Sequence, residues 1–434
     1  MSEYNAALFD RLSGQLSSHR GANLVKLQAY EGKRIARVAG VRVTEKLKKL
    51  AVRIGWPRTV VDVLEERLDF LGWEGWPGDE LATVYEANNL LSEASLVHVD
   101  SLIYGVGFAL VYTDEDGSVN VSAQSPFTAT GVWDGQKRRL TAGLVVRGDQ
   151  AVMFEPDVTT YLDVSGSLPL VTLTVPNRSG RVPLVMFPNR TRGSRSWGQS
   201  EITPMVLDLS DEASRTLLDM AVNRTFHASP QRYVIANVDE DEFQDKTRGW
   251  KALTSELWGM NADPNDVKLG EFQGTQPTPF VQELQQLTEM LAAESGIPVN
   301  YLGLMASNPA SADAIRAGEA RLVKRAERHQ SIFGASWLEV ARLLLMERGV
   351  YSADDFAGVH CVWRDAATPT RAAAADEVTK LVGANILPAA SSLTLSRLGF
   401  TPEQQAVLAA EREQAPADPL SQLADSIGRQ SQLA

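Results

Sequence analysis

This 434-residue chain has very little cysteine, no long apolar run and no complete catalytic signature. Cys361 is its one cysteine, which excludes an internal disulfide and is consistent with a reducing compartment. No window approaches ~18 uncharged apolar residues, so the sequence offers no helix to cross a membrane. The opening Met1-Ser2-Glu3-Tyr4 lacks the basic and apolar halves of a secretory signal. There is no G-x-x-x-x-G-K-[ST] phosphate loop and no G-x-S-x-G elbow. Gly105-Val106-Gly107 begins a G-x-G-x-x-G, but Leu110 stands where the third glycine belongs and the segment precedes a strand. Glycines marking a helix-to-strand turn are the expected reading there. His19, His98, His227, His329 and His360 show no metal-ligand spacing with one another or with Cys361. His360 and Cys361 are neighbours, whose side chains diverge on a strand or a helix. The acidic run Asp239-Glu240-Asp241-Glu242 reads as solvated chain before it reads as a cation site. No metal or cofactor is expected.

What is present is ordinary globular material, 44% hydrophobic and 22% charged, long enough for roughly two to four domains. The net charge of -12 is the wrong sign for broad, tight gripping of nucleic-acid phosphates. Residues 1–60 are helix-rich and basic, with 12 Lys or Arg against four Asp or Glu. Arg34, Arg37, Arg42, Lys46, Lys48, Lys49 and Arg53 crowd their second half, as a solvated face or an interaction surface. Pro57 then opens a helix with Val60, Val61, Leu64 and Leu68 on one side. A further helix is expected over 79–104. From Phe108 the period changes to that of strands, and Asp116-Gly117, Asp134-Gly135 and Gly148-Asp149 each sit at a hairpin turn. An antiparallel meander is expected to run through 159–164 and 170–175 and to end near Phe187.

Helical periodicity returns over 201–228, with Met205, Leu209, Ala213, Leu217 and Met220 as its apolar stripe. A turn-rich insertion over 231–274 follows, then helices over 279–295 and 311–346. Between those two, Gly296-Ile297-Pro298 stops the chain, and Tyr301, Leu304 and Met305 put apolar side chains on a loop. Such side chains are either packed on a neighbour or line something. The two helices beside the insertion are acidic. Residues 200–230 hold Glu201, Asp208, Asp211, Glu212 and Asp219 against Arg215 and Arg224, and 276–296 hold Glu283, Glu289 and Glu294 with no base. A wall of that sign would let DNA slide past without sticking, although an acidic outer face on an ordinary hairpin has the same composition. Arg321, Lys324, Arg325 and Arg328 share one face of the last long helix, where pairing with Glu319 and Glu327 or across a subunit boundary is expected. After Pro369 the chain turns rich in Ala, Gln, Glu and Ser, with helical pieces at 371–382, 391–398 and 402–412 and a frayed tail beyond Pro416.

Several segments, in order, resemble those of one known family. Residues 56–68 (WPRTVVDVLEERL) are similar to the family's n-P-r-vVd-l-e-Rl helix. Residues 97–111 (VHVDSLIYGVGFALV) resemble its a-r-dal-yG-gf-lV passage from helix to strand. Val182 to Arg190 followed by Gly198-Gln199-Ser200-Glu201-Ile202 looks like its vPvv-F-N-r…GrSei. Asn308 to Ile315 matches its NP-x-SAdAI segment. Together they resemble phage portal proteins of the siphophage type over about 20–350, and the resemblance implies an α+β portal fold. That fold has a helix-rich wing with an antiparallel meander (1–199 and 312–370), stem helices (200–230 and 276–296), a small α/β clip (231–275), a tunnel loop (297–311) and a helical crown and tail (371–434).

It further implies a ring, usually of about twelve subunits, at one capsid vertex, serving as the channel for DNA packaging and ejection. The implied partners are double-stranded DNA held without sequence preference, the terminase large subunit, a head–tail connector, and major capsid and scaffolding proteins. The implied location is the virion, after assembly in the host cytoplasm. Tyr301, Leu304, Met305 and Asn308 would face DNA, and Asp208, Asp211, Glu212, Asp219, Glu283, Glu289 and Glu294 would line the stem. Trp250, Trp258, Met260 and Phe272 would form the clip interface. The competing readings are a monomeric helical scaffold or adaptor and a metal-dependent nuclease using Asp239 and Asp241; a non-enzymatic role is expected.

Overall fold

A computed structural model of the chain describes residues 5–34, 53–75, 78–114, 116–189, 192–227, 232–236, 257–261, 269–271, 276–303, 312–347, 356, 358–367, 371–400 and 402–414. The chain divides into two compact units, Met1–Ala366 and Ala367–Ala434. The architecture is mixed α+β, with a five-stranded and a three-stranded sheet that are wholly antiparallel.

The first unit opens with α1 (Ala6–Tyr30), started by the Asn5 side chain, which accepts the Leu8 N–H. In α2 (Trp56–Glu65) Pro57 occupies the first turn, where its missing N–H costs nothing, and Val60, Val61 and Leu64 are buried. After β1 (Phe70–Glu74) come α3 (Gly78–Ala87) and α4 (Leu90–Tyr104). The single helix expected over 79–104 is thus two. Asn89 takes a left-handed φ of 48°, which asparagine tolerates, and the helical path breaks there. Gly105, at φ 95°, ends α4 before β2 (Val106–Thr113), so the paired glycines do mark a helix-to-strand turn.

The strands β3 (Val119–Gln124), β4 (Ala129–Asp134), β5 (Arg139–Arg147), β6 (Gln150–Phe154), β7 (Val158–Asp163), β8 (Leu170–Pro176) and β9 (Leu184–Pro188) follow. They do not form one meander. β4 to β8 make a five-stranded sheet in sequence order, while β9 returns to pair with β2 in a separate sheet ordered β3-β2-β9. One face of the five-stranded sheet, including Leu144, Met153 and Leu162, packs on Phe9 and Leu12 of α1. The opposite face, including Ala129, Val145 and Phe154, packs on Phe108, Leu184 and Met186 of the other sheet.

Next come α5 (Pro204–His227), the strands β10 (Arg232–Ala236), β11 (Leu257–Asn261) and β12 (Leu269–Glu271), α6 (Thr278–Ser295) and a short 3₁₀ turn (Val299–Leu302). The 36-residue α7 (Ala312–Glu347) is the spine of the unit. Its Phe333, Trp337, Val340, Ala341 and Leu344 recur at helical spacing and are buried. Phe70 stacks on Trp337 with ring centroids 4.7 Å apart. The Trp337 indole N–H donates to His98 Nε2 at 3.0 Å, and the Trp337 carbonyl accepts the Trp73 indole N–H. An indole nitrogen only donates, so the His98 proton is on Nδ1. Burial pushes the His98 pKa down to about 3, and His98 is a neutral core residue.

β13 (His360–Trp363) closes the unit by pairing antiparallel with β1. The sequence reading had no strand at either place, because each is short and Gly72 interrupts the first. His360 and Cys361 point apart on β13: the imidazole is exposed near Glu74, and the thiol donates to the Gly334 carbonyl, with burial raising its pKa to about 12. The second unit contains α8 (Arg371–Gly383), α9 (Ser392–Arg397) and α10 (Pro402–Gln414), with Ser391 capping α9 by accepting the Thr394 N–H.

Candidate functional site

Two places gather the residues that the sequence singled out: the junction where α4, β9, α5 and α7 meet, and the α5–α6 pair that leads away from it. At the junction the backbone is drawn tight. The Gly105 carbonyl accepts the Asn189 N–H, the Asn189 carbonyl accepts the Gln199 N–H, and the Leu102 carbonyl accepts the Glu201 N–H, each at 2.9 Å. Ser200 Oγ donates to the Ile103 carbonyl at 2.5 Å and accepts the Ile202 N–H. Gly198, at φ 73°, has no room for a side chain, since a Cβ would lie 2.1 Å from the Gly105 carbonyl oxygen. Positive φ and this close approach both require glycine.

Onto this backbone is set a buried polar cluster. The Asn189 amide donates to the Gln199 carbonyl at 2.7 Å and to Glu201 Oε1 at 2.8 Å. Arg325 Nη2 donates to Glu201 Oε2 at 2.5 Å. His329 Nε2 is 2.8 Å from Asn189 Oδ1 and 3.3 Å from Glu201 Oε1, while its Nδ1 bonds the Arg325 carbonyl. Burial alone would push the Glu201 carboxyl up. The hydrogen bond from His329, the charges of Arg325 and His329 and the bond from Asn189 outweigh it and hold the pKa at about 2. Both His329 nitrogens and both Glu201 oxygens are engaged, so neither group is free to move a substrate proton. The cluster is a clamp that fixes the start of α5 to α7. The sequence reading missed it: His329 lacked metal spacing, and Glu201 was counted among channel acids. The one available signal was that Asn189, Gly198, Ser200 and Glu201 all fall in one family-like segment.

Arg325 therefore pairs between elements, and the expected pairing of the α7 basic face holds only in part. Lys324 bridges Glu327 at 2.7 Å within the helix. Glu319 instead accepts the Tyr301 hydroxyl at 2.5 Å and lies 3.7 Å from Arg67. Arg321 donates to the Ala293 carbonyl at 2.7 Å, in the last turn of α6, where a cation suits the exposed carbonyls.

The α5–α6 pair packs through Val206, Leu209, Ser210, Ala213 and Thr216 of α5 and Leu287, Thr288, Leu291 and Ala292 of α6 among their buried residues. The expected stripe is thus turned about the helix axis. Leu209 and Ala213 belong to it, but Met205 is 41% exposed, and Leu217 and Met220 are only half-buried. Asp208, Asp219, Glu283, Glu289 and Glu294 are exposed and make no ion pair among the described residues. Glu212 pairs with Arg215 at 2.8 Å, one turn on. Asp211 leaves the acidic face altogether, because Arg34 from the end of α1 holds it at 2.6 Å with both side chains largely buried.

Tyr301 lies in the 3₁₀ turn beyond α6; the residue is 39% exposed, and its hydroxyl is fixed between Glu319 and Arg67 Nη2. Leu304, Met305 and Asn308 lie outside the described residues, as do Trp250 and Phe272. Trp258 and Met260 are on β11, which runs parallel to β10 with Trp258 opposite Tyr233 and Met260 opposite Ile235. Among the described residues no three His, Cys, Asp or Glu side chains gather as a metal site.

A family model described as "Phage portal protein, SPP1 Gp6-like" matches residues 58–417. The portal protein of Mycobacterium phage L5 is 32% identical over 375 residues, which cover 82% of this chain and 77% of that protein. The portal protein of Mycobacterium phage D29 is 32% identical over 376 residues with the same coverage. Among solved structures, a chain of the neck of a native gene transfer agent particle computed with C12 symmetry is 15% identical, with a TM-score of 0.48 over 87% of this chain and 99% of that one. A chain of the virion of a native gene transfer agent particle is 13% identical, with a TM-score of 0.46 over 88% and 99%. On the family model and the mycobacteriophage relatives, the chain belongs to the SPP1 Gp6-like family of phage portal proteins, a structural family whose place is the portal vertex of the capsid.

Proposed function

We propose that the chain assembles into a closed ring of about twelve copies and that double-stranded DNA passes through its centre during packaging and ejection. The α5–α6 pair is the observation that supports this most directly. Five carboxylates without ion-pair partners among the described residues share its surface with Met205, Val281 and Met290, which are exposed in the single chain. Copies set side by side would cover those apolar side chains and leave the carboxylates toward a bore, where like charge keeps phosphate from sticking. In this reading residues 1–199 and 312–370 are the wing, 200–230 and 276–296 the stem, 231–275 the clip, 297–311 the tunnel loop and 371–434 the crown and tail. The ring belongs to the virion, is assembled in the host cytoplasm and catalyses nothing itself; the engagement of Glu201 and His329 fits that role.

The terminase large subunit and later the head–tail connector dock on the clip, through Trp250, Trp258, Met260 and Phe272. Capsid and scaffolding proteins surround the wing. Tyr301, Leu304, Met305 and Asn308 meet the DNA at the narrowest point. A negative-stain image of the purified protein tests the ring. A ring with a central hole is expected, and only monomers or dimers by mass photometry at micromolar concentration overturns it in favour of a scaffold or adaptor. Deleting 303–307 should leave rings intact and impair packaging or DNA retention; normal packaging removes the tunnel-loop role.

A further inference from the structure

One end of the five-stranded sheet lacks cover that the rest of it has. Around β4 to β6 the sheet is sandwiched between α1 and the β3-β2-β9 sheet. At β8 and around Tyr161 of β7 that cover ends: every residue of β8 is exposed, although Thr159 of β7 stays buried. Tyr161 and Leu173 are paired across these strands, as are Thr159 and Val175, and Asp163 and Leu170, so Tyr161, Leu170, Leu173 and Val175 share one side of the sheet. They are 40%, 67%, 54% and 40% exposed. The outward edge of β8 is open as well: among the described residues its hydrogen bonds are with β7 alone.

The β3 edge shows the contrast. Asn88 accepts the Val121 N–H and donates to the Val119 carbonyl, and Glu93 accepts the Ala123 N–H, so side chains from the neighbouring helices close that edge. Charge, which ordinarily helps blunt a free edge, is absent from residues 164–177; what protects the edge is limited to Pro169 and Pro176 at the ends of β8 and the bulge opposite Tyr161 and Leu162.

We propose that β8 is a docking edge for an extended, uncharged, β-forming segment of a different protein of the phage head, which adds as a sixth strand and lays apolar side chains over Tyr161, Leu173 and Val175. This occupant follows on three grounds, the first of them resting on the ring proposed above. Two β8 edges pairing with each other would make a two-fold contact, which neighbours in a closed ring cannot share. The uncharged run offers a charged partner nothing to bind. The seven residues of β8 span only ~23 Å, less than a standard interface of ~800 Å² per partner requires. That length suits a tethered, peptide-like segment whose weak contact is repeated in every copy. The partner's belonging to the head rests on the portal reading; the open edge does not.

Amide hydrogen exchange over 170–175 tests the proposal, comparing the purified full chain, in whatever assembly it adopts, with the same chain in assembled heads. At least tenfold slower exchange is expected in heads alone. A Leu173→Lys, Val175→Lys chain, altered only at exposed positions, should lose that slowing while Val121 exchanges as before. Equal rates in the two states overturn the proposal. Protection that already appears when subunits of the purified chain associate assigns the edge to a second copy and also overturns it. Slowing that survives in the double-lysine chain shows that cover comes from elsewhere, with the same consequence. Ring formation is read separately by negative stain, so failure of the edge and failure of the ring are distinct results.

Discussion

Replacing Glu201 by Gln keeps the shape of the junction and removes its one buried negative charge. The carboxylate accepts from Asn189 and Arg325 and faces His329, whereas an amide presents an N–H to one of these donors. Arg325 is left half-buried without its counter-ion, and its Nη1 already has no hydrogen-bond partner. Two routes give the magnitude. The Glu201 pKa is held at about 2 against an ordinary value of 4.5, a gap equivalent to about 3 kcal/mol. Removing one partner of a buried ion pair costs about 3–5 kcal/mol in general. The two agree near the lower figure.

The sign follows from the depressed folded pKa. This stabilisation is complete above the unfolded value, is lost as pH falls through the folded one, and retains about 1.4 kcal/mol at pH 3. The assay is amide exchange at Gln199 and Glu201, whose N–H groups bond the Asn189 and Leu102 carbonyls. At pH 7 the variant should exchange at these sites on the order of a hundredfold faster, and the ratio should shrink as the pH is lowered. Adding Arg325→Met should recover part of the loss by removing the uncompensated charge. A change under fivefold at pH 7, or a ratio that does not move with pH, would refute the clamp.

Three further outcomes are expected. Burial, opposed by a Ser125 hydrogen bond, raises the Asp100 pKa to about 7, so its charge is a penalty that grows as pH rises from about 4 to 7; Asp100→Asn should therefore raise stability by up to about 4 kcal/mol at pH 8 and not at pH 4, as read by thermal melts, and an equal gain at both would reject this. Trp337→Phe deletes the donor to His98 and trims a fully buried ring at the stacked centre of the unit, so urea unfolding should show a loss of about 3 kcal/mol. Gly198→Ala forces a Cβ against the Gly105 carbonyl at positive φ, and should lower the melting temperature more than Gly135→Ala in the Asp134–Arg139 turn, where nothing lies within 4 Å.

Local signals were legible from the residues in order. The α2 face, the β2–β3 and β4 to β8 hairpins, the α5–α6 pair, the long α7 and the helical pieces after 370 follow from helical or alternate periodicity and from turn residues such as Asp116-Gly117. These depend on contacts a few positions apart, which the order of residues states directly. Net acidity and the acid excess around the insertion were equally readable, and so was the family, from the order of its segments. What tertiary structure alone decided are the long-range partners: β9 crossing back to β2, β13 pairing with β1, Arg34 taking Asp211 from the acidic face, and Glu201 closed between Arg325 and His329. Composition shows an acid as an acid. Whether it faces a bore or is buried against an arginine 124 positions away depends on how separate elements pack, because the energy of a charge is set by its surroundings and not by its neighbours in the chain.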